Sequence, residues 1–101
     1  MWLSITWSEK GMITKYTEIC LICGKPAECT HHLIFGTGLR QLADQDGLTI
    51  PLCNSCHNMG KDCIHGNHIA EALSKIIGQL QFEAEKGTRE EFRARYGRSY
   101  L

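Results

Sequence analysis

At 101 residues the chain has room for one domain, and its eleven basic residues are balanced by eleven acidic ones, leaving no net charge. That balance excludes the strongly basic composition of a general nucleic-acid binder, so any hold on phosphate must come from a local patch or from a metal. No stretch approaches the ~20 apolar residues of a membrane-spanning helix.

Residues 1–17 read as an N-terminal arm. Trp2, Leu3, Ile5, Trp7, Met12, Ile13 and Tyr16 are scattered among polar residues with partial alternation, which suits a strand or arm packed onto a small core. The opening residues lack the uninterrupted apolar run and small-residue cleavage site of an export signal. The expected compartment is therefore a reducing cytoplasm, where thiols stay free for metal.

Residues 18–66 carry the strongest signal in the sequence. Cys20-Leu21-Ile22-Cys23 and Cys53-Asn54-Ser55-Cys56 form two C-x2-C knuckles, the pattern of a four-thiolate structural zinc site. Zinc imposes no geometry from d-electrons and accepts four thiolates as a tetrahedron, so each knuckle has only to present two sulfurs from one tight turn. Gly24 and Pro26 supply the turn chemistry after the first pair. In small domains of this kind zinc supplies folding free energy on the order of 10 kcal/mol or more, which a short chain cannot draw from apolar burial alone. Cys29 falls outside both knuckles and reads as a small buried thiol.

Between the pairs, a short strand is expected to end in His31-His32-Leu33-Ile34-Phe35, before Gly36-Thr37-Gly38. Neighbouring strand residues face opposite sides, so two adjacent histidines serve one site only where the strand ends or bends. A short helix is expected over Leu39 to Asp46, closed by Gly47, and a second strand over Leu48 to Leu52 that delivers Cys53. Asn54 or Ser55 is positioned to cap a helical turn bearing Cys56 and His57, which Gly60 cuts short. The pinned second knuckle brings His57 towards His31 and His32.

Residues 67–101 read as a helical extension. Asn67 is a fair N-cap for a helix in which Ile69, Leu73, Ile76, Ile77 and Leu80 recur at three-to-four spacing, a stripe that reads as core or as a partner contact. Gly87 ends it. Thr88-Arg89-Glu90-Glu91 is a capping box opening a last helix to about Tyr96, with Arg89, Arg93, Arg95 and Arg98 as the dense basic cluster. The sum is a single small α+β domain.

Cys20-x2-Cys23, His31-His32 and Ile50-Pro51-Leu52-Cys53-x2-Cys56-His57 resemble the zinc-knuckle branch of the HNH endonuclease family, and the arginine-rich tail is similar to that of small phage and prophage members. The resemblance implies a treble-clef-like ββα-metal centre tied by a four-cysteine zinc. It implies a divalent-metal-dependent DNA endonuclease that hydrolyses phosphodiester bonds in the cytoplasm of a bacterial host cell. By that resemblance His31 and His57 are ligands of a catalytic divalent metal (Mg²⁺, Mn²⁺, Ni²⁺ or Zn²⁺), and His32 is the general base. Imidazole is near neutral at pH 7 and can take a proton from water, which suits both roles.

Two positions depart from the family pattern. Residues 33 to 52 contain no counterpart of the family's middle asparagine, leaving Asp46 or Thr49 to brace the loop. The further helix ligand of some members falls on Lys61, with His65 the nearest substitute, Asp62 a weaker one, and His68 a helix-start residue. Arg89 and Arg93, one turn apart, and Arg40 and Lys61 are the candidate DNA contacts. The alternative function is a non-catalytic zinc-knuckle adaptor that binds DNA or a protein of phage packaging or recombination.

Overall fold

The computed structural model describes residues 12–60 and 63–101 of the chain. The expectations resting on Trp2, Leu3, Ile5, Trp7, Lys61 and Asp62 lie outside the described residues.

The architecture is small α+β. Strands β1 (Cys29–His32) and β2 (Thr49–Leu52) pair antiparallel, with Cys29 opposite Leu52 and His32 opposite Thr49. Helix α1 (Leu39–Asp46) fills the connection and is bounded by Gly38 and Gly47, both left-handed. β1 is shorter than the apolar run suggested: the backbone bends after His32, while Leu33 N still donates to Leu48 O at 2.9 Å. That bend frees two adjacent histidines from the strand alternation. Pro51 sits inside β2 at no cost to the ladder, since it needs only its carbonyl, which accepts from Leu21 N at 2.9 Å on the far edge. Ile13 N bonds Thr49 O at 3.0 Å on that same edge, so the last part of the arm does pack onto the sheet.

A wide π-helical turn (Ser55–Met59) and a 3-10 turn (Ile64–Gly66) follow β2. Asn54 and Ser55 make no side-chain cap on the first, contrary to expectation. Instead Asn54 N is held by the Glu28 carboxylate at 3.0 Å. The turn closes with Gly60 N donating to Ser55 O at 2.9 Å, and a Cβ at Gly60 would run into that carbonyl. Helices α2 (His68–Glu85) and α3 (Arg89–Tyr96) complete the fold. Asn67 caps α2 by accepting from Ile69 N and Ala70 N, and both reciprocal bonds of the Thr88/Glu91 capping box are formed.

The face that α2 turns inward corrects half of the expectation for its apolar stripe. Ser74, Gly78, Gln79 and Phe82 are buried, while Ile69, Leu73, Ile77 and Leu80 are 72%, 51%, 45% and 53% exposed. Close approach decides this orientation. A Cβ at Gly78 would stand 2.7 Å from Ile34 Cδ1 and 3.0 Å from Leu33 Cβ, so only glycine lets the helix axis come this near the chain leaving β1. One turn on, Phe82 packs edge-on to Phe92 (5.3 Å between centroids), and Phe92 stacks on Tyr96 at 4.5 Å. The buried Gln79 amide donates to Glu83 and Ser99 and accepts from Tyr100 N, fastening the C-terminal residues back on α2. Asp46, a candidate loop brace, instead accepts from Arg95 Nε (2.6 Å) and Tyr96 Oη (2.7 Å), joining α1 to α3. Among the described residues no helix is long and apolar enough to cross a membrane.

Candidate metal centres

The first centre follows from the two knuckles. Gly24, at φ 80°, turns the chain so that its N–H reaches Cys20 O at 2.9 Å, and Cys20 N returns to Lys25 O at 2.6 Å. Cys20, Cys23, Cys53 and Cys56 thereby place all four sulfurs within 4.8 Å of one another, and Cys23 and Cys53 are 3.6 Å apart. A Zn–S bond of about 2.3 Å implies a tetrahedral S···S edge of about 3.8 Å, so this donor set can hold a structural metal such as zinc. Four thiols so close cannot all ionise without a cation. Burial raises Cys20, but N–H groups of Cys23, Cys53 and Ile22 outweigh it and bring the thiol down to about 6. Burial and hydrogen bonding to its sulfur neighbours push Cys56 up to about 12. Cys29 stands apart, donating to Leu52 O at 3.3 Å.

The second cluster is built on the first. The turn that carries Cys56 also carries His57, whose N–H bonds Cys53 O at 3.1 Å. His57, His31 from the end of β1 and His65 from the 3-10 turn converge, with one nitrogen of each within 4.8 Å of the others and ring centroids 4.8 to 5.2 Å apart. His65, the substitute ligand suggested by sequence, is thus brought to the pair, whereas His68 is an exposed first residue of α2.

Hydrogen bonding assigns the tautomers of two of these rings. Ser74 Oγ donates its single proton to Leu33 O at 2.9 Å, so it accepts from His31 Nε2–H at 2.8 Å. His31 Nδ1 is then the lone-pair nitrogen, and it is buried with no hydrogen-bond partner. A buried acceptor left bare is costly in a finished core; on a ring whose centroid lies 5.2 Å and 5.1 Å from those of His57 and His65, it fits a metal ligand. His65 is oriented in the same manner, giving Nδ1–H to Glu71 at 3.0 Å and leaving Nε2 free. Burial, then the neighbouring His65 and His57, push His31 down to about 3, and burial followed by His65, His32 and Arg40 lowers His57. Both rings are neutral donors at physiological pH.

His32 does not join the three. Its Nε2 lies 2.8 Å from Asp44 Oδ1 on α1, and it faces the same cavity of about 290 Å³, lined also by Phe35, Arg40 and Asn58. Arg40 is exposed at the start of α1 and makes no ion pair among the described residues. Arg89 and Arg93, by contrast, hold Glu83 at 3.1 Å and Glu90 at 3.4 Å. Sequence reasoning missed Ser74, Glu71, Asp44 and Asn58. The small Ser74/Gly78 pair one turn apart is a readable mark of a close-packed face, and Asn58 directly follows a ligand candidate; Asp44 and Glu71 carry no such mark.

If Ser74 sets the His31 tautomer, Ser74→Ala should weaken binding of a second divalent ion about tenfold or more, the usual range for lost outer-shell partners. Ser74→Thr should restore most of it. Calorimetric titration of Co²⁺ into protein with the four-cysteine centre filled reads this directly; unchanged affinity in Ser74→Ala would remove the role.

No curated protein and no solved structure matches this chain. Residues 6–96 match the model of a family described as "Protein of unknown function (DUF968)", and the chain belongs to that family.

Proposed function

We propose that the chain is a divalent-metal-dependent DNA endonuclease of HNH type, with the four-cysteine zinc as scaffold and His31, His57 and His65 holding the catalytic ion. The observation that carries this reading is the bare, buried Nδ1 of His31 on a ring clustered with those of His57 and His65, with the His32–Asp44 pair in the same cavity. Two strands followed by a helical turn bearing a ligand resemble the ββα-metal centre. Asp44 Oδ1, 2.8 Å from His32 Nε2, orients the base.

When bound, the cation supplies Lewis-acid chemistry to a phosphoryl oxygen and to the leaving 3′ oxygen. Three imidazoles form a borderline donor set, better suited to zinc or nickel than to magnesium, which prefers oxygen. His32, held by Asp44, takes a proton from water as the water oxygen bonds to phosphorus. The P–O3′ bond then breaks, and the departing oxygen acquires a proton from solvent. Arg40, with no carboxylate partner among the described residues, is available to a phosphate oxygen beside the cluster.

The test is nicking of supercoiled plasmid by zinc-loaded protein with Ni²⁺, Mn²⁺, Mg²⁺ or Zn²⁺. Metal-stimulated nicking that a chelator abolishes is expected. No cleavage with any ion, alongside intact duplex binding, would favour the adaptor, for which exposed Leu21 and Ile22 at the knuckle tip offer a partner surface.

Arg40→Ala should flatten the salt dependence of duplex binding by about one unit of slope, one phosphate contact. Arg89→Ala with Arg93→Ala should change it less, because Glu83 and Glu90 already neutralise those charges. Affinity measured across a salt series separates the two, and the reverse order would return the DNA contact to α3.

A further inference from the structure

The solvent face of α2 carries residues that belong in an interface. Ile69, Leu73, Ile76 and Leu80 recur at spacings of four, three and four, the spacing of a coiled-coil seam, with Ile77 widening it. At about 100° per residue these five side chains fall within an arc of about 100°, opposite the inward face defined by Ser74, Gly78 and Phe82. A helix on a protein surface normally places its charges on that outward side. Here the charged side chain at its border is Glu83, which is turned to Arg89 and Gln79. The inward face, conversely, holds a serine, a glycine and a glutamine, with Phe82 as its large apolar side chain. Helix α2 thus turns more large apolar side chains to solvent than to its own core.

We infer that a second copy of this chain covers that face, the two α2 helices pairing antiparallel about a two-fold axis. A heptad seam is self-complementary under such an axis, since each end of the stripe meets the other end of its copy. Charge agrees with this. The chain has no net charge to drive copies apart, and none of the five side chains of the stripe is charged. The exposed stripe is on the order of 400 Å² per copy, at the size where monomer patches are often functional. With Ala72, Ala84 and the helix flanks, two copies bury about 1,000 Å², the threshold of a specific interface. The dimer is accordingly reversible, with a dissociation constant on the order of 10 µM for an interface at that low end.

Sedimentation equilibrium of the metal-loaded full chain from about 1 to 300 µM should show the mass rising from 11.4 kDa towards twice that value. Leu73→Glu with Ile77→Glu should hold it at the monomer mass with zinc content and circular dichroism unchanged, while Tyr16→Ser, at another exposed apolar position, should still dimerise. A second readout needs no substitution: Ile and Leu methyl resonances of Ile69, Leu73, Ile77 and Leu80 should shift with concentration, and those of Leu21 and Ile22 should not. A monomer throughout that range, a dimer surviving both glutamates, or shifts confined to other methyls would each overturn the inference.

Discussion

Cys53→Ser should strip the four-cysteine centre of its metal and unfold the middle of the molecule. Cys53 is buried, and it ties three things at once: a sulfur 3.6 Å from Cys23, the end of β2, and the carbonyl that receives His57 N–H. The sheet it anchors has only two strands of four residues each, and a hairpin of that size is marginal alone in water. A zinc contribution on the order of 10 kcal/mol is comparable to the whole stability of a small domain, about 5–15 kcal/mol. Losing one of four thiolates should therefore cost the fold, and His57 loses its placement with it. Elemental analysis with amide dispersion in NMR spectra checks this. A variant that keeps one zinc and a native spectrum, or a wild type whose knuckle cysteines are joined as disulfides, would contradict it.

His32→Ala should lower plasmid nicking by roughly 10² to 10⁴ while both metals remain bound, the range for removal of a general base. His32 is the histidine of the cavity that is not aimed at the three-imidazole cluster; its Nε2 is engaged by Asp44 at 2.8 Å. Asp44→Asn should give a smaller loss in the same assay, since an amide still holds the ring but carries no charge to balance the one the ring gains with its proton. His57→Ala should act differently, removing the second ion and leaving the four-cysteine zinc. Wild-type nicking by His32→Ala, with contaminating nucleases excluded, would remove His32 from the reaction.

The elements most readily read in the sequence were those fixed by local chemistry. The knuckles, the boundaries of α1, the Asn67 cap and the Thr88/Glu91 box depend on residues a few positions apart, and all are present where local rules put them. The inward face of α2 was not legible, because periodicity reports which residues share a face and not which face meets the core. Here Gly78 decided, through a contact with Ile34 more than forty residues away in sequence. Contacts between separate elements also hid the outer partners of the histidines, across 43 residues for Ser74 and 12 for Asp44. Ser74 on His31 and Asp44 on His32 join separate elements, and nothing local to either residue announces the contact.

The most direct measurement is a titration of chelator-treated protein, with the four-cysteine zinc retained, by Ni²⁺ or Zn²⁺ while bound metal and nicking rate are followed together. One further ion per chain is expected, with nicking rising in proportion to its occupancy and saturating at one equivalent. Only one ion bound per chain in folded protein, or nicking already maximal before the second is taken up, would contradict a catalytic role for the three-histidine cluster.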